Sequence, residues 1–127
     1  MDKPTQRKPK PYFDTAANPS HVTFDDGLDD CCSLPWMSFV QARRARSEPN
    51  TIKIQIGDFV IVITGQNLAP LFLAIEDRTL TRVCAHPEFR QDRERESDTF
   101  ATEIRFTKPP TKVVRARPGQ SEFDLLE

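Results

Sequence analysis

Chemically versatile side chains are scarce in this chain, and each scarcity removes a class of function. Its 127 residues include 4 Gly, 3 Cys, 2 His, 1 Tyr and 1 Trp. Four scattered glycines supply neither a GxGxxG nor a GxxxxGK[ST] cradle for phosphate. The HExxH and GxSxG signatures of zinc proteases and nucleophile elbows are absent as well. Two histidines and a single tyrosine leave little vocabulary for acid–base catalysis. Three cysteines, with Cys31 and Cys32 adjacent, do not make a disulfide framework, so a reduced, cytoplasmic setting is expected. No apolar run approaches the ~20 residues that a bilayer span requires. The opening MDKPTQRKPKPYF is basic but lacks the apolar stretch of a secretory signal. No membrane association is expected.

Charge and proline are what the chain has in quantity. Charged residues make up 29% against 37% apolar, and there are 11 prolines. That apolar share is low for a chain folded throughout, so disordered charged termini are expected. The net charge of −1 hides alternating basic and acidic blocks and does not itself indicate a nucleic-acid partner. Residues 1–32 read as a disordered tail. Lys3, Arg7, Lys8 and Lys10 alternate there with Pro4, Pro9 and Pro11, and an acidic run at Asp25, Asp26, Asp29 and Asp30 follows. That run brackets Gly27 but lacks the spacing and closing glutamate of a calcium loop. A single domain is placed at 33–109, and 110–127 reads as a flexible C-terminal tail.

The organising stretch is Thr51–Ile75. Ile52, Ile54 and Ile56 alternate with Lys53 and Gln55, the period of a strand with one buried face. Gly57-Asp58 fits a two-residue type II′ turn, which sets Ile56 opposite Phe59, Ile54 opposite Ile61 and Ile52 opposite Ile63. Gly65 ends the second strand. Asn67 is placed to cap a helix over 67–77 whose stripe is Leu68, Leu71, Phe72 and Ile75.

A second helix is expected over 34–47, started at Ser33 and carrying Trp36, Phe39 and Val40 on one side. Residues 79–85 fit a short strand better than an extension of the preceding helix. Glu88–Asp98 reads as a charged surface excursion, and 100–108 alternates as a strand that Pro109 stops. The expected fold class is α+β: a small, mainly antiparallel sheet, hairpin 51–64 plus strand 100–108, packed against one or two helices.

Candidate chemistry is thin. Cys31, Cys32, Cys84, His86 and His21 could supply zinc ligands, but the knuckle spacing of structural sites is missing. A Cys84–His86 nucleophile has no third group to orient it. The paired carboxylates sit in hydrophilic runs that would not raise a pKa. No enzyme, metal or cofactor is expected. The first functional reading is therefore a non-catalytic protein-interaction module, binding another protein or itself. Val60 and Val62 on the second face of the hairpin, and Phe123, Leu125 and Leu126 near the end of the sequence, are its contact residues. The alternative is nucleic-acid binding through basic residues around 43–53 and 105–117: Arg43, Arg44, Arg46, Lys53, Arg105, Lys108, Lys112, Arg115 and Arg117. Trp36, Phe100 or Phe106 would then stack on bases. A second alternative is an accessory subunit of an enzyme.

Overall fold

Alternating isoleucines set the centre of the structure, a computed structural model that describes residues 10–107. The hairpin forms in the expected register, with Ile56 opposite Phe59, Ile54 opposite Ile61 and Ile52 opposite Ile63. All five isoleucines are buried. Gly57 has φ +60° while Asp58 stays out of the positive region, as a type II′ turn requires.

With this hairpin, the described residues form eight strands and one α-helix. In chain order they are β1 (Phe13–Thr15), β2 (His21–Asp25), β3 (Cys31–Pro35), β4 (Phe39–Arg43), β5 (Thr51–Ile56) and β6 (Phe59–Gln66), then helix α1 (Ala69–Glu76), β7 (Leu80–Cys84) and β8 (Phe100–Thr107). The first sheet has the order β1-β7-β2-β3 and the second β4-β5-β6-β8. All neighbours are antiparallel except β2 and β7, which run parallel. A 3-10 turn at Trp36–Ser38 carries the chain from the first sheet to the second, and α1 carries it back.

This is a mostly β architecture, and it overturns the expected α+β class of one sheet packed on one or two helices. An α-helix does form where the Leu68/Leu71/Phe72/Ile75 stripe predicts it, with Leu68, Leu71 and Ile75 buried and Phe72 half-buried. The second helix does not form. Residues 34–47 instead hold the end of β3, the 3-10 turn and all of β4. Trp36, Phe39 and Val40 have helical spacing, but a turn followed by a strand meets the same spacing. Phe39 lies opposite Ile56 and Ala42 opposite Ile54, so the segment pairs with an edge of β5 that would otherwise be bare. Strand pairing outweighs a weak local preference for helix.

The described part of the N-terminal region is also folded, contrary to its reading as a tail. Val22 and Phe24 alternate inward on β2 and are fully buried, with Leu34 beside them on β3. The aspartates between β2 and β3 make a hairpin turn and not a solvated linker. Asp26 Oδ1 accepts the backbone N–H groups of Leu28, Asp29 and Asp30 at 2.8, 3.1 and 3.1 Å. Those bonds, Leu28's foremost, hold its carboxyl below the ordinary carboxylate range. A depressed pKa stabilises the fold above the unfolded value of about 4, and that stability is lost as pH falls through the folded value. Asp26→Asn should therefore lower the urea midpoint at pH 7, and the gap to the parent should narrow as pH falls below about 4. A gap that persists unchanged at pH 3 would show that the charge is not what the turn uses.

The inner faces of both sheets and α1 form one core. Its junction is Trp36, whose backbone N–H donates to Ser20 O at 2.9 Å and whose indole Nε1 donates to Leu80 O at 3.0 Å.

Candidate interaction surface

If the isoleucines of β5 and β6 face inward, the residues between them must face outward. Register then fixes which outward side chains are neighbours across the second sheet. Arg43 on β4 pairs with Lys53 on β5, Lys53 with Val62 on β6, and Val62 with Arg105 on β8. The next row outward reads Gln41, Gln55, Val60 and Thr107. Two half-buried valines thus form an apolar strip along β6, with amides, a hydroxyl and three cations around it. Arg43, Lys53 and Arg105 are exposed. With strands ~4.8 Å apart, Arg43 and Lys53 are neighbours and Arg105 lies two strands from Lys53.

Residues assigned to two competing readings in the sequence therefore share one face. Val60 and Val62 came from the protein-interaction reading, and Arg43, Lys53 and Arg105 from the nucleic-acid one. The other candidates separate from them. The Arg44 Nε donates to Pro49 O at 3.1 Å, so its fork braces the β4–β5 loop. Arg46 is exposed within that loop. Arg105 has a carboxylate beside it, Glu103 at 3.7 Å, an exposed pair that contributes little. Lys108, Lys112, Arg115, Arg117, Phe123, Leu125 and Leu126 lie outside the described residues.

The aromatic residues offered for base stacking are used elsewhere. Trp36 is only 5% exposed and Phe100 only 2%, while Phe106 is half-buried against the core. A cluster that the sequence did not reveal surrounds Phe100. Tyr12, His86 and Phe89 contact one another, with His86 stacked on Phe89 at 4.8 Å. The Arg95 guanidinium sits 4.1 Å from the Phe89 centroid and pairs with Asp92 at 2.9 Å. These contacts come from residues 12, 86, 89, 92, 95 and 100, and no periodicity links positions so scattered.

The thiols do not assemble. Cys31 and Cys32 alternate on β3, and Cys84 lies on β7 across Asp25 from Cys31. Among the described residues no three His, Cys, Asp or Glu side chains are grouped to hold a metal. Burial, reinforced by Asp25, pushes the Cys84 thiol up, which works against a thiolate nucleophile. The His86 Nδ1 meets Glu88 at 3.4 Å.

The described residues contain no helix long and apolar enough to cross a membrane. Comparison with protein-family models, curated proteins and solved structures finds no match to this chain.

Proposed function

We propose that this protein is a non-catalytic interaction module that docks an acidic, partly apolar segment of another protein on the outer face of its second sheet. One observation carries the reading: the register that sets Arg43, Lys53 and Arg105 in a row around the Val60–Val62 strip. Apolar contact along the strip would supply most of the affinity, and the cations would select for carboxylates and speed the encounter. The burial of Trp36 and Phe100 favours a protein over a single-stranded nucleic acid, which binds by stacking bases on exposed aromatics. A reducing, cytoplasmic setting is part of the proposal and rests on the cysteine composition.

The test is fluorescence anisotropy of the full chain with two labelled probes, a peptide alternating glutamate with leucine and a single-stranded oligonucleotide. Saturable peptide binding is expected, weakened about tenfold or more by Arg43→Glu with Lys53→Glu, a typical loss for reversing two interfacial charges. Oligonucleotide binding that weakens steeply between about 50 and 200 mM salt, with no peptide binding, would replace this reading by the nucleic-acid one.

A further inference from the structure

A second surface, with the opposite charge, opens where β7 ends. Ala85 fills the space between the end of β2 and the start of β8. Its N–H donates to Asp25 O at 2.9 Å, it bridges Ala101 in parallel, and the following N–H, of His86, donates to Ala101 O at 2.7 Å. The chain then leaves this line through a 3-10 turn at Pro87–Phe89, while β8 continues to Thr107. Beyond the departure point lies a groove of about 520 Å³. One wall is Asp26, Leu28, Asp29 and Asp30, and the other is β8 from Thr102 to Thr107. The groove continues the line of β7, so it is the place of a strand that stops short.

Two independent features say what would fill it. On one wall β8 is a sheet edge. It pairs with β6 on its inner side, and among the described residues nothing pairs with its outer side beyond Ala101. Unpaired N–H and C=O groups along an edge are a template for a further extended strand. The opposite wall carries three aspartates, and Glu103 on β8 adds a fourth carboxylate against Arg90 and Arg105. Leu28, 79% exposed, stands among the aspartates as an apolar contact, with Pro87 and Phe106 also lining the groove. The acidic wall is rigid. Gly27 packs so closely on Ala85 O that a Cβ there would collide with it, and Asp26 ties down three N–H groups of the turn.

We propose that this groove takes an extended segment of a partner protein, with alternating apolar and basic side chains, as an added strand on β8. Backbone pairing to β8 provides the main contact, alternate apolar side chains meet Leu28, Pro87 and Phe106, and the basic ones meet the aspartate wall. The groove meets the cationic outer face along β8, where Arg105 and Thr107 border both, but its aspartate wall is its own, and the proposal does not depend on what the outer face binds.

The probe is a labelled seven-residue peptide alternating lysine with valine, titrated into the full chain. Saturable binding is expected, with three dependencies. N-methylation of alternate peptide nitrogens removes the ladder bonds and should weaken binding about tenfold or more. Leu28→Ser with Asp29→Lys, both at exposed positions, should do the same. Glu76→Lys, an equal charge change on α1 away from the groove, should leave binding unchanged. Equal binding of the N-methylated peptide, or equal losses from Glu76→Lys, would reduce the effect to adsorption on an acidic surface and overturn the proposal. Binding that emerges only when Lys112, Arg115 and Arg117 are changed to glutamate would overturn it in another way, making the chain's own basic segment the occupant.

Discussion

Alanine in place of Trp36 is expected to remove about 3–5 kcal/mol, a large share of the roughly 5–15 kcal/mol that holds a typical domain. The side chain stands where the chain passes from one sheet to the other, and it serves both. Its ring meets Phe39 of β4 edge-on at 5.4 Å, while its Nε1–H reaches Leu80 O of β7. Truncation would open a cavity between the sheets and strand a buried carbonyl. Trp36→Phe keeps most of the apolar volume but loses the hydrogen bond and part of the ring, so about 1–2 kcal/mol is expected. Urea denaturation followed by far-ultraviolet circular dichroism is the appropriate measurement, because the chain's single tryptophan is the residue being removed. A loss below about 1 kcal/mol for Trp36→Ala would place it among ordinary surface substitutions and refute its role as the junction.

Gly65→Ala should be nearly as damaging, at about 3 kcal/mol, because overpacking here is against backbone. A Cβ on Gly65 would collide with Phe100 O and lie 2.7 Å from Ala101 Cα. Neither can turn aside as a flexible side chain would, so β6 and β8 would have to separate at their bulge between Thr64 and Gly65. Gly57→Ala provides the contrast. A Cβ there meets nothing nearer than Ser38 Cβ at 3.8 Å, and the loss is the φ penalty alone, about 1–2 kcal/mol. Thermal melts of the two variants should fall in that order, and the reverse order would mean that the close approach relaxes at little cost.

These two glycines also show what a sequence can and cannot disclose. Gly57 was legible as a turn because its neighbours alternate and only one register places six apolar side chains on one face. Gly65 looked like a strand terminus, yet β6 runs through it to Gln66. Its real constraint comes from Phe100 and Ala101, distant in sequence. Asn67 misled for the same reason. It has the composition of a helix cap, but no side-chain bond caps α1. Asn67 instead adopts φ +53° and donates its Nδ2 to Ser97 O at 2.9 Å.

The candidate surface divides along the same line. Val60 and Val62 were legible as the odd apolar pair on an outward face, since period-two alternation is local. That Arg43 joins them follows from β4 pairing with β5, which the helical spacing of Trp36, Phe39 and Val40 concealed. The groove beside β8 was not legible at all. It depends on Asp26–Asp30 being a rigid turn, on β7 running parallel to β2, and on Ala85 stopping where it does. None of these leaves a periodic mark on the residues involved.

The parallel pairing of β2 with β7 has a consequence for the order of assembly. Arg82 reaches back 57 residues to Asp25, and the Asp98 carboxylate reaches back 88 to the Lys10 N–H. During synthesis the β2–β3 and β5–β6 hairpins can close within their own neighbourhoods. The first sheet cannot, because β7 lies between β1 and β2 and is made after α1. Long-range closure of this kind slows folding and prolongs the exposure of unpaired strand edges. Val22 and Phe24, fully buried in the finished molecule, therefore wait with an open edge beside them until β7 arrives. This is the interval in which the nascent chain is most prone to pair with the wrong strand.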